Sequence, residues 1–432
     1  MKTRLDRRHA LCCTAALGAG LFTSLQAEAA ALRNPCREPL PASLRTHPLV
    51  AQAFDGIDPA ALWDVHTHLL GNGDAGSGCT IHPSMYQWWH PVEVLRRRVI
   101  LNAACVPQGV ASVDRAYVER LQRLASDFPA GARWLLFAFD TACDDRGREH
   151  ADWTTLHVPN RYAQEVAAAL PQRFGWVASV HPYRPDAIER LDAALQQGAL
   201  AVKWLPSAMN IDLADARCRP FYDRLRRAGM PLIVHCGEEL AVRGADRAAY
   251  GNPLHLRVPL AAGVRVIAAH AASLGHAIDL DTPSRPRRNA FDLWARLMDE
   301  PAWRGLLFAD ISALFQTNRS PQAWHTLLQR QDWHARLLHG SDHPLPGVMP
   351  LYSPARLAAA GLLPRDAVEP LAALREHNPL MFDFVQKRLL RSGSARLLPE
   401  VFDTRRLWRA PPAQGYSAPP VPAPAPHGRT SA

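Results

Sequence analysis

The sequence has no Cys-x-x-Cys pair, no Gly-x-Gly-x-x-Gly behind its first apolar run, and no apolar run after residue 25 long enough to cross a membrane. Cysteines this scattered exclude a zinc ribbon and a disulfide-dense scaffold. The missing glycine fingerprint, with only Gly71-Asn72-Gly73 in its place, argues against an open doubly wound sheet. The third absence leaves no membrane span in the body of the chain. Dense basic blocks are missing too. The 49 Lys and Arg against 40 Asp and Glu give a formal charge of +9, but part of the excess gathers in the first ten residues and near the C-terminus. No stripe suited to a polyanion remains, so no nucleic-acid partner is expected.

What is present is enough apolar material for a full core: 48% hydrophobic and 21% charged residues in a chain of 432. Lys2, Arg4, Arg7 and Arg8 precede an uncharged stretch from Ala10 to Leu25, followed by Ala27-Glu28-Ala29. That is the pattern of a secretory signal over residues 1–29. Arg7-Arg8 resembles a twin-arginine signal, from which Asp6 and Ala10 depart, and such signals export folded proteins. The stretch is too short to span a bilayer, so the expectation is a periplasmic protein without a stable membrane anchor. Six cysteines lie beyond the signal: Cys36, Cys79, Cys105, Cys143, Cys218 and Cys236. They read as buried free thiols, and a disulfide or two would suit an oxidising compartment.

Between residues 61 and 395, short runs rich in Val, Ile, Leu and Phe alternate with helix-like segments, the pattern of repeated β-α units around a parallel sheet. The predicted strands are Ala61 to His66, Trp134 to Asp140, Trp176 to His181, Leu200 to Leu205, Pro231 to Cys236, Val264 to His270, Leu306 to Ile311 and Arg336 to His339. Helices are expected over Asp114 to Leu124 and over Asp186 to Leu195, with Pro185 in the first turn of the latter. Eight such units fit an α/β fold of the TIM-type (β/α)8 barrel class. The insertion after strand one, from Gly71 to about Ser112, is long enough to form a lid or pocket wall. Residues 30–60 form an N-terminal segment. Residues 396–432 form a C-terminal extension, and its part from Pro411 on, with seven prolines in 22 residues, is expected to be disordered.

The polar residues that close these runs carry the chemistry. His66-Thr67-His68 ends the first run, and a period of two puts both imidazoles on one face, as a metal site requires. One His-x-His is expected by chance at this histidine content, about one per chain. His235, His270 and Asp342 close three later runs, however. Lys203 to His235 is 32 residues and His235 to His270 is 35, each one strand-helix unit, while the 72 from His270 to Asp342 are divided by the strand ending near Asp310. Ends of parallel strands converge on one rim, and imidazole with carboxylate there suits zinc or another first-row metal.

In these features the sequence resembles the amidohydrolase superfamily, which carries a His-x-His on strand one, histidines on strands five and six, and an aspartate on strand eight. The resemblance runs from about Trp63 to Phe384 and includes Ser179-Val-His-Pro-Tyr-Arg-Pro-Asp186, Gly340-Ser-Asp-His-Pro344 and Asn378-Pro-Leu-Met-Phe-Asp-Phe-Val385. It is greatest to the amidohydrolase-related metal-dependent hydrolases, a branch that also contains decarboxylases. It implies His66, His68, His235 and Asp342 as metal ligands and His270 as a ligand of a second metal or a catalytic base. One or two divalent metals, zinc first among them, are implied. In binuclear members a strand-four lysine is carbamylated and bridges both ions, and in mononuclear ones it stays an ammonium that binds substrate. Lys203 is open to either role. His235-Cys-Gly-Glu238 also resembles the His-x-Gly-Glu of adenosine-type deaminases, where the glutamate protonates a ring. Alternatively Glu238 and Glu239 pair with Arg243 or Arg257.

The resulting expectation is hydrolysis of a small polar carbonyl or phosphoryl compound by water activated on the metal, with Asp342 taking the proton. Trp89, Tyr183, Arg184, Glu238 and Arg319 are the candidate substrate contacts. A decarboxylase or hydratase on the same site, and a periplasmic barrel that binds a ligand without turnover, are the rivals. The partner is a small molecule, and a homo-oligomer is compatible with the sequence.

Overall fold

Alternation within short apolar runs builds the molecule. The computed structural model describes residues 32–409. The signal-like segment over residues 1–29 and the Pro-rich stretch from 411 on lie outside them.

Three strands, β1 (Trp63–His68), β2 (Arg133–Phe137) and β3 (Phe174–Val177), form one parallel sheet in that order. Five more, β4 (Val202–Trp204), β5 (Leu232–His235), β6 (Val266–Ala269), β7 (Leu307–Asp310) and β8 (Leu337–Leu338), form a second parallel sheet, again in chain order. Single parallel bridges join the sheets at both margins, Ala178 with Val202 and Thr67 with His343. Each of the eight predicted runs overlaps one of these strands, although β2 begins one residue and β3 two residues before its run. β1 continues two residues past its predicted end because Thr67 and His68 keep pairing with β2.

One set of alternate residues, including Val65, Leu135, Phe137, Val177, Ile233, Ile267, Ala269 and Leu338, packs into a single apolar cluster shared by both sheets. The other set, including Trp134, Leu136, Trp204, Val234, Val266 and Leu307, packs outward into the larger core with the helices. A helix lies between each pair of consecutive strands. The helix Val113–Ser126 starts where Ser112 Oγ accepts from the Arg115 amide at 3.2 Å, and it buries Tyr117, Leu121 and Leu124. The helix Ala187–Gln196 begins one residue later than expected, so Pro185 stands before its cap at Asp186 and outside the first turn.

The segments flanking the sheets are integral parts of the packing. Residues 71–112 contain a strand, Thr80–Ile81, and the helix Pro91–Ala103. Leu407 enters the inner cluster, Trp408 stacks 5.5 Å from Trp63, and Thr404 Oγ1 accepts from the Trp63 amide at 2.9 Å. Residues 404–408, placed by sequence in an extension, thus cover the end of the inner core where β1 begins. Two cysteines depart from the free-thiol expectation, since Cys36 and Cys105 form a disulfide; Cys79, Cys143, Cys218 and Cys236 are free and buried.

Candidate metal centre

β1 changes its alternation midway. Its register against β2 shifts between Asp64 and Thr67, an irregularity of the kind that re-aims side chains. Val65 joins the inner apolar cluster, yet His66 and His68 line a cavity at the carboxyl ends of the strands, with Lys203, His235, His270 and Asp342. All six residues predicted to hold or serve a metal therefore meet in one place.

Asp342 is the hub. Its Oδ1 lies 3.0 Å from His68 Nε2 and 3.4 Å from His66 Nε2, and its Oδ2 lies 3.9 Å from His270 Nε2. His66 Nε2 is buried without a hydrogen-bond partner among the described residues, while Nδ1 of the same ring is 2.9 Å from Asp310 Oδ2. An Nδ1–H donated to that carboxylate fixes the ring and leaves a lone pair on Nε2, the arrangement that supports metal-ligating histidines. His270 is set the same way, its Nδ1 donating to the Ser312 carbonyl at 3.1 Å. Asp310 also accepts from the amides of His270 and Ser312, both at 3.1 Å. Asp342 stands at φ 61° and its amide donates to the His66 carbonyl at 2.8 Å, which ties the turn after β8 to β1.

Two groups among the described residues could hold an ion: His66 with His68 and Asp342, and His66 with His270 and Asp310. The orphaned His66 Nε2 belongs to the first. The short contact in the second is the Nδ1 bond to Asp310, so the first is where the donors fit a divalent metal. The protonation states suit it as well. Burial holds the imidazoles of His66 and His270 neutral and pushes His235 down to about 4. Burial works against the Asp342 carboxylate, but the pull of His270 and His66 in their protonated forms and the bond to His68 outweigh it and hold the group well below its usual range, so a cation that displaces those protons meets an ionised carboxylate. Neutral imidazole and ionised carboxylate are the forms a metal binds. Burial likewise lowers Lys203, whose Nζ has no hydrogen-bond partner among the described residues and lies 5.4 Å from the Phe137 ring.

Asp310 and Glu239 are additions to the predicted set. Asp310 ends β7 as His235 ends β5, and that shared placement was the available signal. His235 Nε2 lies 3.3 Å from Glu239 Oε2, and Glu239, not Glu238, lines the cavity. Arg243 instead approaches Glu93, and Arg257 pairs with Asp281 and Glu300. With Asp310→Asn, a weaker acceptor would face His66. Metal affinity is expected to fall about 10–100-fold and activity to return at excess metal. Titration with metal checks this, and an unchanged affinity would count against the role of Asp310.

The cavity holds about 140 Å³, close to the ~150 Å³ that admits a benzene ring. Beyond the polar end its walls are mainly apolar, with Leu70, Ile81, Met85, Ile100, Phe139, Leu156 and Leu205. A small polar substrate alone would leave those walls uncovered.

None of the five candidate substrate contacts lines this cavity. Trp89 is exposed, and Glu238 lines a neighbouring hollow with Arg247 and Arg287. Arg319 is buried and donates to Ser273 Oγ at 2.7 Å. Tyr183 accepts from the Asp212 amide at 2.9 Å beneath the Arg217 guanidinium, and Arg184 is committed to Asp140 and Glu149. Their segment is a buried strut. In it His181 Nε2 donates to the Met209 carbonyl at 2.7 Å and Nδ1 accepts from the Tyr183 amide.

Burial pushes His181 down to about 4 from 6.5. Between pH 6.5 and 4 the unfolded chain binds a proton there that the folded chain refuses. The stability from neutral burial is present above pH 6.5 and falls by roughly 3 kcal/mol as pH drops through that window. Urea unfolding at pH 7 and pH 4 should show a smaller loss for His181→Gln than for wild type, and equal losses would contradict the assignment.

A sequence model of the amidohydrolase family matches residues 63–380. No curated protein matches the chain. Among solved structures, an uncharacterised TIM-barrel protein from Bordetella bronchiseptica is 18% identical, over 66% of this chain and 87% of that one, with a TM-score of 0.42. A probable 2-pyrone-4,6-dicarboxylic acid hydrolase from Acinetobacter baumannii, with citric acid bound, is 13% identical over 66% and 84%, with a TM-score of 0.40. The 5-carboxyvanillate decarboxylase of Sphingomonas paucimobilis is 12% identical over 73% and 97%, also with a TM-score of 0.40.

Proposed function

The chain belongs to the amidohydrolase family, and from that premise we propose that it is an exported, metal-dependent hydrolase of carbonyl or phosphoryl compounds that carry an apolar group of about ring size. The observation that carries this reading is the Asp342 carboxylate set between His68 and His66, with the orphaned Nε2 of His66 beside it. His66, His68, His235 and Asp342 would hold a divalent cation, and imidazole with carboxylate favours zinc. When bound, the cation supplies Lewis-acid polarisation and lowers the pKa of water.

The side chains supply the rest. Asp342 accepts a proton from the attacking water, whose oxygen bonds to the carbonyl carbon or phosphorus. The bond to the leaving group then breaks, and Asp342 returns the proton to that group. His270 Nε2, with its lone pair set free by the Nδ1 bond to Ser312, accepts a hydrogen bond from the water or substrate. Lys203 offers its unpartnered Nζ either to a substrate anion or, as a carbamate, to a second cation. The apolar walls exclude bulk water and seat the acyl, aryl or alkyl part.

The bridges at both sheet margins support a closed eight-stranded barrel, with the site at the rim where catalytic residues of such barrels gather. The Cys36–Cys105 disulfide supports export to an oxidising compartment. The test is turnover of aryl esters, lactones, anilides and aryl phosphates by zinc-loaded and by chelator-treated protein. Hydrolysis that is lost with the metal and restored by adding it is expected. Release of CO2 from aryl carboxylates with no hydrolysis would overturn the hydrolase reading in favour of a lyase, and ligand binding without any product would overturn enzymatic function.

A further inference from the structure

Ten large apolar side chains are exposed among the described residues, and six of them fall within the 14 residues from Tyr86 to Val99. Trp88 is 82% exposed, Trp89 57%, Val92 66%, Leu95 61% and Val99 38%. Val92, Leu95 and Val99 follow one another at spacings of three and four, so they share one face of the helix Pro91–Ala103. The other face is already used: Arg97, Ile100 and Leu101 line the cavity of the metal centre. Packing therefore explains the inner apolar face and leaves the outer one without an occupant among the described residues.

Charge indicates what covers it. Of Arg96, Arg97 and Arg98, the first two turn to Glu93 and to the Met85 carbonyl, while Arg98 is exposed beside the stripe. Glu93, the one acid between Tyr86 and Val99, is buried and paired with Arg96 at 2.8 Å and with Arg243 at 3.8 Å. The Arg243 contact brings the loop bearing exposed Leu240 beside the helix. An outward face of tryptophans and branched aliphatics, with exposed Arg98 and Arg243 beside it, matches the water-facing boundary of a bilayer with anionic headgroups. There aromatic rings sit at headgroup level and guanidinium groups meet phosphate. A second copy of the chain fits less well, because a two-fold contact sets the same arginines against each other.

We propose that residues 86–99 dock the protein reversibly on an anionic lipid surface. Trp88, Trp89, Val92, Leu95 and Val99 reach the acyl boundary, and Arg98 lies among the headgroups. The face that docks and the wall of the apolar cavity are then two sides of one helix, so an apolar compound dissolved in lipid has a short path to the metal centre.

The test is co-sedimentation of the full chain with vesicles of phosphatidylglycerol and phosphatidylcholine in equal parts, and with vesicles of phosphatidylcholine alone. Binding is expected to prefer the anionic vesicles and to weaken as salt rises from ~0.1 M to ~1 M. It should fall about tenfold or more in Val92→Glu/Leu95→Glu and again in Trp88→Ala/Trp89→Ala. All four side chains are exposed, so thermal melting should match wild type and separate lost docking from lost folding. Absence of wild-type binding, equal binding by folded variants, or no preference for anionic lipid would overturn the proposal. So would a dimer in lipid-free buffer that Val92→Glu/Leu95→Glu dissociates, since the face would then belong to a second copy. No substrate is needed for these readouts, so they stand or fall apart from the hydrolase reading.

Discussion

Asp342→Asn is expected to lower turnover about a thousandfold or more while the protein stays folded, on the scale of losing a positioned proton acceptor together with a metal ligand. The side chain is the meeting point of His66, His68 and His270, and asparagine keeps its size. Asparagine also tolerates the left-handed backbone at φ 61°, so the turn after β8 and the amide bond to His66 need not move. What is lost is the negative charge among neutral imidazoles and the ability to carry a proton. Steady-state kinetics with thermal melting checks this: unchanged melting and near-wild-type turnover would remove Asp342 from the mechanism.

Loss of the Cys36–Cys105 disulfide is expected to cost roughly 4 kcal/mol, the chain-entropy value for a loop of this length, because the bond closes a sequence separation of 69 residues. The cross-link fastens the start of the described chain to the end of the helix Pro91–Ala103. Asn34 and Asn102 reinforce it by exchanging hydrogen bonds of 2.9 Å, from the Asn34 amide to Asn102 Oδ1 and from Asn102 Nδ2 to the Asn34 carbonyl. Urea unfolding of Cys36→Ser/Cys105→Ser against oxidised wild type measures it. A difference under about 1 kcal/mol would mean that the bond adds little to what those hydrogen bonds and the core already hold.

The eight strands were legible in the sequence because each is a short apolar run, and several of the runs end on or close to a polar residue of the cavity. Their ends were less so. The β1 irregularity between Asp64 and Thr67 depends on pairing with β2, and no local pattern announces it. The six candidate metal-centre residues were legible for the same reason as the strands, since His66, His68, Lys203, His235, His270 and Asp342 stand in or just after the first, fourth, fifth, sixth and eighth runs. Asp310 also ends a run, but its task shows only when Nδ1 of His66, 244 positions away, comes within 2.9 Å. Glu238 and Glu239 are adjacent, and only the path of the loop after β5 decides that the second faces His235. Tyr183 and Arg184 were placed near the rim by sequence distance from a strand end. Their partners Asp212, Asp140 and Glu149 lie on other loops and turn them into supports. Trp89, chosen as a substrate contact because it stands in the long insertion, is exposed and does not line the cavity.

The most direct measurement is anomalous diffraction from crystals of zinc-loaded protein. A peak about 2 Å from His66 Nε2, His68 Nε2 and an Asp342 carboxylate oxygen is expected. Zinc bound elsewhere, with none among these three side chains, would contradict a metal-dependent site.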